Sequence, residues 1–458
     1  MQAQRAEGTK DLIGRDMRAW QKMQEVAAEV FGPFGFEPIE TPAIEQLDVF
    51  VHGIGQSTDV VRKEMFRVFS GANFERVLAE GTDAKLKAKQ RLALRPEGTA
   101  GVVRAVVENN LVPQGSAPFK AWYAEAMFRG ERPQKGRLRQ FHQVGIEWLG
   151  APDPAADAEC IIMLMRFYER LGFDLSQLRL LINSMGDPAC RPAYREAVRQ
   201  FILDHEDEMC DECREHYAKV KQYLDAAGIA YVEDPTLVRG LDYYTRTVFE
   251  VEAPGAGVGS IGGGGRYDGL VELEGGKPTP GVGFAVGFER AVLALEAFGK
   301  EMDCDADRCV FVANAGADLR DEVFALALEL RGRGVRTECD YQGKSLKAQF
   351  KLADKLNASH IVIIGGDELA AGKVKLRNVL ADKVIDLVGM RVDNGTQAQI
   401  WQDVFGENQL WRLDPVPERL LNKETPAPKP KEEPRRTTRT QTEKKTSGKA
   451  ARRTSKNK

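Results

Sequence analysis

Between Asp16 and Phe31 the apolar residues Met17, Trp20, Met23, Ala27 and Val30 recur at three- and four-residue spacing, and Gly32-Pro33 ends the series. That period predicts an amphipathic helix with a sharp stop. The stretches 36–42 (FEPIETP) and 64–69 (EMFRVF) alternate well enough to be strands, with the prolines placing the first at an edge or a kink. Leu92 to Leu94, Phe119 to Met127, Gln140 to Trp148 and Val248 to Glu252 add strands, while Ala158 to Leu171 and Glu289 to Phe298 are helical in pattern. Strands in runs, with helices between hairpins, indicate an α+β domain on an antiparallel sheet. After the short apolar run Leu178 to Ile182, residues 183–237 turn helical, charged and cysteine-containing, and the strand signal resumes at Val238. This stretch is expected to be a helical insertion within the first domain.

From Cys309 the pattern changes. Val310 to Ala313, Arg336 to Cys339 and Ile361 to Ile364 read as strands, separated by helical runs Leu319 to Arg331 and Leu346 to Leu356. Alternation of this kind predicts a separate small α/β domain with a mostly parallel core. Beyond Pro417 aromatic residues vanish and Lys, Arg, Thr, Pro and Ser dominate, a composition unable to bury enough apolar surface to order itself. The expected division is therefore 1–182 with 238–300, an insertion at 183–237, a linker at 301–308, an α/β domain at 309–418 and a disordered basic tail at 419–458.

Length and composition agree with several cores, since 458 residues at 43% apolar content exceed what one core accommodates. No window approaches eighteen uncharged apolar residues, and the opening MQAQRAEGTKDLIG lacks the features of a signal or transit peptide, so a cytoplasmic protein with no membrane partner is expected. Seven scattered cysteines argue against a disulfide scaffold and for reduced thiols. Charge is uneven: residues 423–458 hold 13 Lys/Arg against 4 Asp/Glu, which leaves 52 against 64 in the rest. An acidic body binds nucleic acid only through local basic stretches, whereas the tail could attract RNA without selecting among sequences.

The densest candidate chemistry lies between Met127 and Glu147, where a strand ends in the basic loop Arg129 to Arg139 and returns as a second strand. The two-residue side-chain period lets Arg129, Gln143 and Glu147 face one cleft, with the arginine suited to phosphate and the polar pair to a small polar ligand. A solvated hairpin with a basic tip is the competing explanation of this segment. Gly262 to Gly265 lacks the Lys-Ser/Thr of a phosphate-binding P-loop, and Gly255, Gly257 and Gly259 fit a hairpin turn better than a dinucleotide site. Glycine within a strand at 263–265 permits close approach of a bound ligand. The CxxC pair Cys210 and Cys213, with Cys190, His205 and His216 nearby, is half of a zinc signature, and ordinary thiols explain it as well; no metal is assigned there.

The stretch 127–147, and in detail RPQKGRLRQFHQ at 132–143, resembles motif 2 of class II aminoacyl-tRNA synthetases of the bacterial histidyl type. LRPEGT at 94–99 is similar to that family's amino-acid loop, and LVRGLDYY at 237–244 and GGGRYDGL at 263–270 to its two histidine-specific signatures. GVGFAVGFER at 281–290 resembles motif 3, and Pro42 stands where motif 1, the dimer-forming segment, has its proline. The resemblance runs from Glu7 to about Asp386 and implies an ATP-dependent ligase that charges tRNA(His) with L-histidine. It further implies use of Mg2+ with ATP, a homodimer, and an anticodon-binding role for the second domain, notably through Ser345 to Phe350 and Gly365 to Leu369.

Carried over residue by residue, the resemblance places Arg129 on the α-phosphate, Arg137 on the distal phosphates, and Arg290 and Glu131 at ATP. Arg239 becomes a fixed cation opposite, and Gln143 positions the attacking carboxylate; Arg129, Gln143 and Arg239 form the expected catalytic set. Histidine would be held by Glu97, Gly98, Thr99, Gln143, Glu147, Arg239, Tyr243 and Tyr244, with Glu147 and Tyr244 on the imidazole and Glu97 and Thr99 on the ammonium group. Arg132 and Gln134 would face the tRNA acceptor end. Three features depart from the family: Gly130 replaces an aromatic or histidine, the insertion is short, and the basic tail has no counterpart in the core. The rival reading is a regulatory subunit of ATP phosphoribosyltransferase, a paralogue that does not aminoacylate and normally lacks the second domain.

Overall fold

The computed structural model describes residues 3–411, except 57, 82–85, 114–115, 188, 191–208, 303, 305–307, 317, 371–373, 380–382, 388–397 and 402–409. The expected disordered tail, 419–458, and His205 lie outside the described residues. Two compact units divide between Ala306 and Asp307.

The first unit is built on an eight-stranded sheet whose middle is antiparallel. The strand Phe119–Phe128 pairs with Gln140–Leu149, which pairs with Gly281–Gly287, then Ser260–Arg266, Thr245–Glu252 and Arg179–Ser184. Two-residue strands close both edges by parallel pairing: Glu37–Pro38 against Phe119–Phe128, and Val232–Glu233 against Arg179–Ser184. Proline at the first edge fits, because an edge strand can spare one N–H donor. The predicted first helix is Arg15–Phe31; it buries Trp20, Met23, Ala27, Val30 and Phe31 on one face of the sheet. Beside it packs Pro154–Arg170, whose Asp153 cap accepts the Ala155 N–H at 2.8 Å with Pro154 in the first turn.

The insertion contributes the helix Asp211–Ala226, whose Tyr217, Val220 and Leu224 join the core cluster of the Pro154–Arg170 helix. Holding that helix to the sheet is a fully buried ion pair. Arg266 Nε donates to Asp157 at 3.0 and 3.1 Å, and its Nη1 donates to both Asp268 and the carbonyl of Ala151 at 3.0 Å. Burial opposes ionisation of Asp157, yet Arg266 and His216 keep it below its ordinary value.

Two sequence expectations are corrected in detail. Residues 60–64 form a wide helical turn and only Arg67–Val68 pairs as strand, because Leu92–Leu94 offers it just two positions of register. The strand expected to resume at Val238 begins at Thr245, since 238–244 is a loop that carries side chains toward the sheet face.

The second unit has the expected α/β order. Cys309–Asn314 pairs in parallel with Thr337–Cys339 and Ala358–Ile364, and the helices Arg320–Gly332 and Leu346–Lys355 connect them. From Val374–Asn378 onward the added strands are antiparallel. Its own apolar clusters, around Val312, Val323 and Ile364 and around Phe311, Ala353 and Ile361, make it a body with an independent core.

Candidate active site

Strand register sets out the site before any side chain is considered. Across the central strands Gln143 stands opposite Gly287, Gly145 opposite Ala285, and Glu147 opposite Gly283; the next strand adds Gly263 opposite Ala285 and Gly265 opposite Gly283. Gln143, Gly145 and Glu147 alternate onto one face. That face is a floor of small residues, and functional side chains lie flat across it. A Cβ on Gly283 would come within 2.3 Å of Glu147 Oε2, and on Gly263 within 3.1 Å of an Arg239 nitrogen. On Gly265 it would come within 2.9 Å of the Tyr244 ring, and on Gly98 or Gly145 within 2.4 Å of Tyr123. The close approach expected at Gly263 and Gly265 is thus made by the chain's own Arg239 and Tyr244.

Above the floor lies a cavity of ≈520 Å³ that brings Arg129, Glu131, Arg137, Gln143, Arg239, Glu250, Glu289 and Arg290 together. Arg129 donates from Nε to the carbonyl of Pro96 at 2.9 Å and stacks over Phe141 at 5.3 Å, which fixes the direction of its other nitrogens. Arg290 is tied to the carbonyls of Gly136 at 3.2 Å and Ser260 at 2.8 Å. Burial together with the nearby Arg137 and Arg129 guanidiniums pushes Arg290 below its ordinary value. Cations held this close favour a polyanion in the cavity. Arg239 pairs with Glu250, while its Nε and the Oε1 of Gln143 are buried with no hydrogen-bond partner among the described residues. Buried polar atoms without partners point to a ligand that would satisfy them.

Behind the cavity is a second, closed layer. Glu97 accepts the N–H groups of Thr99 at 2.8 Å and Ala100 at 2.9 Å, capping the helix Thr99–Glu108. Glu147 accepts from the Thr99 hydroxyl at 2.7 Å, from Tyr267, and from Tyr123 at 3.4 Å. Burial drives Glu147 up to about 8, against these donors and with help from Glu97, so burial prevails. Burial also raises Glu97. Tyr243 and Tyr244 are buried beside this pair, their ring centroids 4.7 Å apart, with the Tyr243 hydroxyl 3.4 Å from Glu97.

The expected histidine residues therefore assemble, but Glu97, Gly98, Thr99, Glu147, Tyr243 and Tyr244 stand behind the cavity wall, whereas Gln143 and Arg239 open onto it. Arg132 and Gln134 are exposed in the loop, outside the cavity lining. Gly130 donates its N–H to the Glu64 carbonyl at 2.5 Å, and a Cβ there would meet that carbonyl at 3.2 Å; the wide turn 60–64 occupies the place of a larger side chain. Sequence reasoning missed Tyr123, Tyr267 and Glu250. Strand parity with Gln143 and Glu147 could have found Tyr123 through its pairing with Gly145.

Similarity to known proteins agrees with this geometry. A family model described as Histidyl-tRNA synthetase matches residues 8–201 and 195–291. The chain belongs to the histidyl-tRNA synthetase family. A second family model, Anticodon binding domain, matches residues 309–394 in the second unit. A histidine–tRNA ligase of Streptomyces coelicolor is 42% identical over 408 residues, covering 81% of this chain and 92% of its own. That of Desulforamulus reducens is 40% identical over 417 residues, covering 82% and 94%. The crystal structure of apo S. aureus histidyl-tRNA synthetase has 31% identity and a TM-score of 0.68, covering 87% of this chain and 97% of its own. Membership includes the second domain, which the family resemblance at Ser345 to Phe350 had suggested. There Gln349 is buried and ties the end of the strand Cys309–Asn314 through Asn314 at 3.1 and 3.3 Å, so this member of the motif is structural.

Proposed function

We propose that the chain joins L-histidine to ATP, forming histidyl-adenylate and releasing pyrophosphate, and then transfers the histidyl group to the 3′ end of tRNA(His). The observation that carries this reading is the convergence of Arg129, Arg137, Arg239 and Arg290 with Gln143 on one cavity, over a strand that also bears Glu147. In the first step a histidine carboxylate oxygen bonds to the α-phosphorus, and the bond to the bridging oxygen of pyrophosphate breaks. Negative charge grows on the transferring phosphoryl oxygens, and pre-aimed guanidiniums stabilise it without reorganisation.

Arg129, held at Pro96 and Phe141, serves the α-phosphate; Arg137 and Arg290 serve the distal phosphates; Arg239 stands opposite as a fixed cation, and Gln143 orients the carboxylate. The ammonium group goes to Glu97 and Thr99, and the imidazole to Glu147 and Tyr244, with Tyr267 setting the orientation of Glu147. Glu131 and Glu289 line the cavity and offer hard oxygens that suit Mg2+, which when bound would neutralise part of the triphosphate charge.

Arg132 and Gln134, exposed on the motif 2 loop, are proposed to meet the acceptor end of the tRNA, and the second unit to read the anticodon. A homodimer around Pro42 is supported by the exposed apolar side chains of Ile44 nearby and of Phe74 and Leu78 on the helix Gly71–Glu80, none of whose residues is buried. Histidine-dependent exchange between ATP and pyrophosphate tests the activation step. Exchange with histidine alone supports the reading. Its absence in the wild type transfers the assignment to the regulatory paralogue.

A further inference from the structure

The sequence offered Cys210 and Cys213 as half of a metal signature with Cys190 and two histidines nearby, and the fold selects Cys190 and adds Asp187. Asp187 and Cys190, just after the strand Arg179–Ser184, meet Cys210 and Cys213 at the start of the helix Asp211–Ala226, and the four ligand atoms lie within 4.8 Å of one another. We propose that these four residues, in a D-x-x-C and C-x-x-C pair of knuckles, bind one structural zinc ion.

The distances suit the metal. A tetrahedral ion with Zn–S bonds of about 2.3 Å spaces its sulfurs about 3.8 Å apart, and about 3.5 Å from a carboxylate ligand. Cys190 Sγ and Cys213 Sγ are 3.8 Å apart, and Cys210 Sγ is 3.6 Å from Asp187 Oδ2. A disulfide requires about 2.05 Å, so the sulfurs stand at ligand spacing rather than bonding distance. Two backbone donors orient Asp187 for coordination, because its Oδ1 accepts the N–H groups of Ala189 at 2.9 Å and Cys190 at 3.1 Å, which leaves Oδ2 toward the cysteines. The two histidines that the sequence placed nearby are not needed. His216 Nε2 is engaged 3.3 Å from Asp157, and His205 lies outside the described residues.

Three thiolates and a carboxylate around a divalent cation leave a net charge of −2, which the surroundings offset. Cys210 stands at the N-cap position of a sixteen-residue helix, whose N-terminus favours anionic sulfur. Four protein ligands fill the coordination shell and leave no open position, which marks a structural site rather than a catalytic one. Its position gives it leverage. Met185 donates to the Arg246 carbonyl at 2.7 Å and Arg246 to that of Gly186 at 2.8 Å, so the first knuckle is clasped to the chain two residues beyond Tyr244.

The test uses the untagged full-length protein purified under reducing conditions without chelator. Mass spectrometric metal analysis is expected to find one zinc per chain, and Co2+ replacement to give a thiolate charge-transfer band with tetrahedral visible absorption. Asp187→Cys is expected to keep the ion and raise the charge-transfer intensity from that of three thiolates to that of four. Asp187→Ala should release the ion sooner to a competing chelator. The proposal fails if the reduced wild type carries no metal above background and develops no thiolate–cobalt band. It fails equally if thiol titration and mass show a disulfide among these cysteines in protein prepared without reductant, with no metal bound.

Discussion

Glu147 is the candidate-site carboxyl whose titration the surroundings move far up. Its folded-state value near 8 exceeds the ordinary carboxylate value, so the folded chain keeps a proton that the unfolded chain has lost. The resulting stabilisation is full below the ordinary value and is lost as pH rises through about 8. Thermal unfolding of the wild type, compared with Glu147→Gln, should therefore show a wild-type-specific loss of stability across that window. If the carboxylate form binds the imidazole N–H, KM for histidine should fall as pH approaches 8. Tyr267→Phe removes a donor that favours the carboxylate, and should move that midpoint upward. A Tyr267→Phe profile superimposable on wild type would remove Tyr267 from the positioning role. For Arg239→Ala we expect a loss of pyrophosphate exchange of about 10²- to 10³-fold, chiefly in kcat, as for removal of one charge-stabilising donor. Arg129, Gln143 and Glu147 were readable because motif and strand parity both pointed to them, and Arg239 through its motif alone. Tyr267 was not, because its importance comes from a contact with Glu147 far away in sequence; Tyr123 was missed although its hairpin pairing with Gly145 places it on the same face.

At the level of elements, close approach accounts for the glycines of the strand Ser260–Arg266: Arg239 and Tyr244 lie against Gly263 and Gly265, and Tyr168 and the neighbouring strand backbone against Gly262 and Gly264. Gly283→Ala would drive a methyl group toward both Glu147 and the Ile146 carbonyl, each 2.3 Å away. We expect it to cost about 1–3 kcal/mol or more, read as a lower denaturation midpoint, because backbone must move as well as side chain. Gly259→Ala meets no atom within 4 Å but sits at φ +67, so its cost should come from backbone strain alone and be smaller, about 1 kcal/mol. The long elements Arg15–Phe31, Pro154–Arg170, Phe119–Phe128 and Gln140–Leu149 were legible because each keeps its period for ten residues or more, whereas the shorter helices Leu47–Ile54, Gly71–Glu80 and Thr99–Glu108 were not anticipated. The strands misjudged were those where period had little length to act on: a two-residue pairing at Arg67–Val68, and a loop at 238–244 whose Leu241, Tyr243 and Tyr244 pack inward without strand geometry. Of the four-residue cluster the three cysteines were visible in the sequence, and Asp187 was not, since a lone aspartate outside a cysteine spacing gives no signal until the fold brings it to them.

For the whole molecule, separate cores in the two units predict separable activities. A chain ending at Ala306 should retain histidine-dependent exchange within about tenfold, while its KM for tRNA rises much further. Loss of exchange on truncation would show that the first unit does not stand alone. The domain pattern was legible because strand and helix alternate in the second unit but cluster in the first. Within the first unit, the arginine-lined cavity and the carboxyl-lined layer behind it share a single strand, with Gln143 in one and Glu147 in the other, roughly 13 Å apart at about 3.3 Å per residue. The helix end that would ordinarily welcome phosphate, at Thr99, is already plugged by Glu97. On the proposed assignment, an amino acid and a triphosphate entering together would be sorted between the two layers, amine toward Glu97 and phosphates toward the arginines. The site would then act as a polarised slot that sets the direction of its substrates before it recognises either one.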